Sequence, residues 1–182
     1  KNDAETVHEF MKILQIPKFS VLGTSGGGIA GMIYAIKYPS FVDKLVVVAA
    51  NSFMTRAELE VYEGMKNTDT WSEGTRKPLD DFYGRKFVKD TWARFVECLW
   101  RIYEERGGDY CKNELKDIQA ETLVILGEKD VMINHSHVQY YRENIKNCQL
   151  VIFPNGSHKM HLKFPEEFCR VVSEFLKRNS CL

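Results

Sequence analysis

The stretch Val21-Leu22-Gly23-Thr24-Ser25-Gly26-Gly27-Gly28 decides how this chain is read. An apolar segment runs into Gly-x-Ser-x-Gly, and a helical pattern follows at once. This is the pattern of a nucleophile elbow, a strand-to-helix turn so tight that its serine stands exposed at the tip. Gly23 and Gly27 flank Ser25 where a Cβ is expected to strike the adjoining strand or helix, and glycine tolerates the backbone angles of such a turn. Ser25 Oγ is therefore the candidate nucleophile, and the rest of the chain must supply a base and an acid.

Outward from this turn, four continuous apolar runs read as buried parallel strands: Phe19 to Leu22, Leu45 to Ala50, Thr122 to Leu126 and Gln149 to Phe153. Helical patterns separate them. Ile29 to Tyr38 is closed by Pro39, and Ser136 to Ile145 forms a second. Pro165 to Lys177 carries a proline and two acids in its first turn and an apolar stripe of Phe168, Val171, Val172 and Phe175. Strands alternating with helices predict an α/β fold with a parallel sheet, as one domain over 1–182. About 70 residues without a strand, from Asn51 to Glu121, interrupt the rhythm, far more than a connection needs. Val88, Trp92, Phe95, Leu99 and Trp100 give this insertion a helical stripe that ends near Gly107-Gly108. It is expected to form a helical cap over approximately 51–121, lying on the sheet's C-terminal edge. Its aromatics, Trp71, Phe82, Tyr83, Phe87 and Trp92, either shape an apolar substrate pocket or pack the cap, and packing is the plainer expectation for most of them.

Composition narrows the function. Of 182 residues 44% are hydrophobic and 27% charged, ordinary for a folded domain. Lys and Arg number 25, as do Asp and Glu, so no net field favours nucleic acid or an anionic membrane. No apolar run approaches the roughly 18 residues of a membrane-spanning helix. The five cysteines (Cys98, Cys111, Cys148, Cys169 and Cys181) are scattered, with no Cys-x-x-Cys pair. They read as free thiols of a reducing compartment. The polar start Lys1-Asn2-Asp3-Ala4-Glu5 is no signal peptide, and Val7, Phe10, Met11 and Leu14 already recur at helical spacing. A further segment is expected upstream.

A serine hydroxyl needs a base to take its proton, and the base needs a third group to orient it. Asp130 is the acid candidate. It follows Leu123-Val124-Ile125-Leu126 through Gly127-Glu128-Lys129, at a strand C-terminus, on the edge where open α/β sheets bind ligands. Glu128 is the competing carboxylate, nearer the strand. His158 is the base candidate, in the loop Pro154-Asn155-Gly156-Ser157-His158 after the last strand. His135, His137 and His161 read as surface or packed histidines. The order Ser25, Asp130, His158, each just past a different strand, carries more weight than any one motif.

Two other chemistries find less support. Gly26-Gly27-Gly28-Ile29-Ala30-Gly31 also fits the dinucleotide fingerprint, but that motif wants an acid at the end of the next strand, and Val48-Ala49-Ala50-Asn51 supplies none. The pairs His135/His137 and His158/His161 lack a close carboxylate to complete a metal site. Neither cofactor nor metal is expected.

At these residues the sequence resembles the α/β-hydrolase superfamily and, within it, the biphenyl hydrolase-like (valacyclovir hydrolase) group. The resemblance rests on Gly23-Thr24-Ser25-Gly26-Gly27, Lys37-Tyr38-Pro39-Ser40, Tyr62-Glu63-Gly64, the run Trp71 to Leu79, Gly127-Glu128-Lys129-Asp130, and Gly156 to Leu162. It implies a partial α/β-hydrolase fold and a cofactor-free serine hydrolase of small-molecule carboxylic esters, with Ser25, Asp130 and His158 as the catalytic triad. It also implies an intracellular location, cytoplasmic or mitochondrial. Thioester and carbon–carbon bond hydrolases use the same triad, and a non-catalytic or truncated binding protein is the alternative of another class. In the group an aspartate suited to a substrate ammonium follows the nucleophile; Gly26 stands there in this chain. The Gly26 N–H is the expected oxyanion donor. The second donor belongs to a loop after the family's third strand, outside these residues, so the segment alone is expected to be slower by roughly 10²–10³.

Overall fold

A computed structural model describes residues 2–178, which leaves Cys181 outside the described residues. Chain order is α1 (Asn2–Ile13), β1 (Phe19–Thr24), α2 (Gly26–Lys37), β2 (Val42–Val48), α3 (Arg56–Gly64), α4 (Glu73–Tyr83), α5 (Arg85–Arg106), β3 (Glu121–Gly127), α6 (Ser136–Asn144), β4 (Cys148–Phe153), α7 (Met160–Lys163) and α8 (Pro165–Lys177). Each predicted strand and helix is present, with ends moved by a few residues. β2 begins three residues early, at Val42, and α2 does the same, starting directly after Ser25 and taking all three glycines into its first turn.

The chain divides into two compact units, Lys1–Phe53 with Tyr110–Leu182, and Met54–Asp109. The first holds a four-stranded sheet in the order β1-β2-β3-β4. All pairs are parallel, so every strand ends at the same edge. β2 is buried along its length, because both of its faces are covered. Leu45 and Val47 share one apolar core with Met32, Tyr34 and Ala35 of α2 and Tyr141 of α6. Val46 and Val48 point the other way, into a second core with Phe153, Val172 and Phe175. The layers are therefore helix, sheet, helix.

The expectation of four buried strands holds for β2 and β3 and needs correction at the outer strands β1 and β4, most of whose residues are only partly buried or exposed. The first four residues of β1 alternate between half-buried and exposed, and Leu22 is 48% exposed. β1 pairs with β2 alone in this sheet, so it has the environment of an edge strand despite its apolar sequence.

The second unit is helical. Thr55 caps α3 with a capping box: its side chain accepts from the Glu58 N–H, and the Glu58 carboxylate accepts from the Thr55 N–H. α5 ends at Gly107, whose left-handed φ of 60° stops the helix. Trp71 and Trp92 pack edge to face at 5.0 Å, and both indole N–H groups donate to the Met65 carbonyl, at 3.0 and 2.9 Å. Those two aromatics hold the unit together, whereas Phe82, Tyr83 and Phe87 are exposed. Among the described residues no helix is long and apolar enough to cross a membrane.

Candidate active site

Ser25 is the junction between β1 and α2. Its φ of 53° and ψ of −122° lie in a region that non-glycine residues seldom enter. The strain, of order 1–3 kcal/mol, persists because the surroundings pin it. The Ser25 N–H donates to the Val48 carbonyl at 2.8 Å, and the Ser25 carbonyl accepts from the N–H groups of Gly28 and Ile29. Two further non-glycine residues with positive φ, Ala49 and Asn155, follow β2 and β4 at the same edge of the sheet. Backbone strain thus gathers where three strands end.

The glycine requirement differs from expectation. A Cβ at Gly23 would stand 2.2 Å from the Gly27 carbonyl oxygen, a collision that no side-chain motion relieves. At Gly27, where the sequence also suggested a collision, a Cβ would have no atom within 4 Å. The second enforced glycine is Gly28, whose Cβ would lie 2.7 Å from that of Ala50. The turn brings the Gly27 carbonyl back over Gly23 and presses the next residue against the end of β2. With Gly31, tight against Val21 and Leu45, Gly28 explains the resemblance to a dinucleotide fingerprint: these glycines let α2 lie close on the sheet.

Asp130 follows β3 and is 6% exposed. Its Oδ1 accepts the Met132 N–H at 2.9 Å, and its Oδ2 lies 2.9 Å from His158 Nδ1. His158 follows β4, and its Nε2 lies 3.1 Å from Ser25 Oγ. With the proton on Nδ1 donated to the carboxylate, Nε2 is left to accept from the serine hydroxyl. The Met132 N–H had no sequence signal, because a backbone donor carries none. Glu128 takes a different place. Its carboxylate accepts the Asn155 N–H at 2.9 Å, so Asp130, not Glu128, meets the imidazole.

The other histidines stay apart from this series. His135 Nε2 lies 2.8 Å from the Glu128 carbonyl. His137 is buried with its ring 4.5 Å from that of Phe53. His161 has its ring 5.8 Å from Phe168. The N–H of Gly26 opens α2 immediately after Ser25, where the first turn of a helix has no intrahelical acceptor and the dipole favours negative charge. A hydroxyl, an imidazole and a buried carboxylate in this order, beside such a donor, form a set able to carry out acyl transfer.

Comparison with known proteins bears on the family and the fold. The model of the "Alpha/beta hydrolase family" matches residues 2–171. "Serine hydrolase BPHL" of Mus musculus is 35% identical over 177 residues, which is 97% of this chain and 61% of that protein. Its Homo sapiens counterpart is 34% identical over the same shares. The chain therefore spans about three fifths of the length of these curated relatives. Among solved structures, the α/β-hydrolase enzyme MGS-M2 from a deep-sea metagenome library superposes with a TM-score of 0.74 at 19% identity, over 98% of this chain and 72% of that one. A meta-cleavage product hydrolase from Pseudomonas fluorescens IP01 gives 0.67 at 24%, over 95% and 70%. These structures share the fold. A strand-to-helix turn strained at Ser25, a parallel sheet with its loops at one edge, and a family match over nearly all the described residues lead to one conclusion: this chain belongs to the α/β-hydrolase family.

Proposed function

We propose that the protein is a serine hydrolase that cleaves small-molecule carboxylic esters through an acyl-enzyme. The hydrogen-bonded series Ser25–His158–Asp130 is the observation that carries this reading. Ser25 Oγ attacks the ester carbonyl while His158 Nε2 takes the hydroxyl proton. Asp130 holds the Nδ1–H and stabilises the imidazolium. The Gly26 N–H faces the oxyanion of the tetrahedral intermediate. Collapse expels the alcohol, which leaves with the proton from His158. Water then adds to the acyl-serine with His158 again as base, and the carboxylic acid departs as Ser25 recovers its proton.

Residue 26 bears on substrate choice. A glycine there offers no carboxylate to a substrate ammonium, so esters of neutral acids are the proposed class. Of the described cysteines, Cys98, Cys148 and Cys169 are free thiols, which suits work inside the cell.

A fluorophosphonate probe tests the proposal on the natural full-length protein. Mass spectrometry should find the adduct on Ser25, and both Ser25→Ala and His158→Ala should abolish it. A folded protein that takes no label would instead be a non-catalytic member of the family. Matched p-nitrophenyl esters of a neutral acid and of an α-amino acid then test the acyl preference.

A further inference from the structure

The site depends on two loops, one after β3 carrying Asp130 and one after β4 carrying His158. The β3–β4 ladder ends at the pair Gly127 and Phe153, before either functional residue is reached. Beyond it the loops are joined directly. The Glu128 N–H donates to the Phe153 carbonyl at 3.0 Å, and the Lys129 N–H donates to the Gly156 carbonyl at 2.7 Å. The backbones touch so closely that a Cβ at Gly127 would stand 2.4 Å from the Gly156 oxygen.

One side chain completes this junction. The turn Phe153-Pro154-Asn155-Gly156 is closed by the Gly156 N–H on the Phe153 carbonyl at 3.0 Å. It has proline at its second position and Asn155 at φ 56° at its third, the residue pattern of a type II turn. That closure uses the N–H of Gly156 and leaves the N–H of Asn155 to another acceptor. The Glu128 carboxylate supplies it, reaching across from the other loop to Asn155 at 2.9 Å. A charged acceptor makes a stronger bond than a neutral one. From Asn155 only Gly156 and Ser157 intervene before His158, and the Met160 N–H is fixed on the Ser157 carbonyl at 3.0 Å. Little slack is left between the turn and the imidazole.

We propose that Glu128 is a positioning residue: its carboxylate splints the strained turn at Asn155 and thereby sets His158 between Asp130 and Ser25. It touches no reacting atom. The inference rests on the reading of Ser25, His158 and Asp130 as the catalytic set, and it assigns to Glu128 a task separate from that of Asp130. Glu128 is exposed, so shortening it opens no cavity in the core.

The test compares Glu128→Ala and Glu128→Gln in the natural full-length protein. The readouts are the rate of fluorophosphonate labelling at Ser25, kcat and KM for a p-nitrophenyl ester, and thermal unfolding. Misplacing a catalytic group by an ångström costs up to about 10²-fold, so Glu128→Ala should lower labelling and kcat by roughly 10- to 100-fold, with KM and the unfolding temperature little changed. Glu128→Gln keeps an acceptor oxygen of about half the strength and should stay within roughly threefold of the unmodified protein. Labelling of Glu128→Ala at the unmodified rate would overturn the splint and leave the triad standing. An equal loss in both variants would also overturn it, because the acceptor would then not be what matters. Absence of label on Ser25 in the unmodified protein would instead remove the triad reading itself.

Discussion

Gly23 lies directly beneath Gly27: a methyl group on residue 23 would reach to 2.2 Å from the carbonyl oxygen of residue 27. The contact is backbone against Cβ, within a turn that also holds Ser25 at positive φ. Gly23→Ala should therefore displace the elbow, lowering stability by about 1–3 kcal/mol, the usual cost of overpacking, and removing probe labelling. Gly27→Ala, with open space around its Cβ, should be neutral or stabilising by up to about 1 kcal/mol, since alanine favours the helix. Thermal or urea unfolding of the two variants checks the contrast.

Asp130 shares its carboxylate between His158 and the Met132 N–H. Asp130→Asn nearly keeps the volume but presents an amide to Nδ1, which favours the wrong imidazole tautomer. On the proposed mechanism kcat should fall by roughly 10⁴-fold while the protein stays folded. Steady-state kinetics with circular dichroism distinguish this from simple unfolding.

Lys44 is a buried cation that ties β2 to the end of α8. Its Nζ donates to Glu121 at 3.0 Å and to the carbonyls of Phe175 and Arg178 at 3.3 and 2.7 Å. Lys44→Met keeps the apolar stem and removes all three bonds. Glu121 remains partly exposed and regains water, so the expected loss is about 2–3 kcal/mol, below that for breaking a fully buried pair. Hydrogen exchange should show the amides at the C-terminal end of α8 opening first.

Burial pushes the Cys148 thiol up to about 11, against a smaller opposing pull from Arg142. At pH 8 only about one molecule in a thousand then carries the thiolate, so iodoacetamide should modify the exposed Cys169 well before Cys148. The same shift sets a sign for stability. Between the ordinary thiol value near 9 and about 11, the unfolded chain ionises while the folded one keeps its proton. The unfolded state binds fewer protons there, so this contribution is whole below the window and is lost as pH rises through it. Replacing Cys148 with alanine should flatten the alkaline decline in denaturation midpoint.

What the sequence determined by itself was local. Apolar runs bounded by turn residues placed β1 to β4, and the order of Ser25, Asp130 and His158 just past three of them placed all three at one sheet edge, because parallel strands end together. Tertiary structure decided what depends on contacts between distant segments. Gly28, not Gly27, is sterically enforced beside Gly23, because β2 abuts the start of α2 through Ala50. Asp130, not Glu128, meets His158, because the register of the two loops carries Glu128 to Asn155 instead. β1 and β4 are only partly buried where β2 and β3 are buried, because in this sheet each outer strand pairs on one side only, a property of the sheet and not of the strand's own residues. Periodicity reports which face of an element is apolar; which atoms then meet is set by packing across 28 residues for Asp130 and 133 for Ser25, a separation that no local pattern spans.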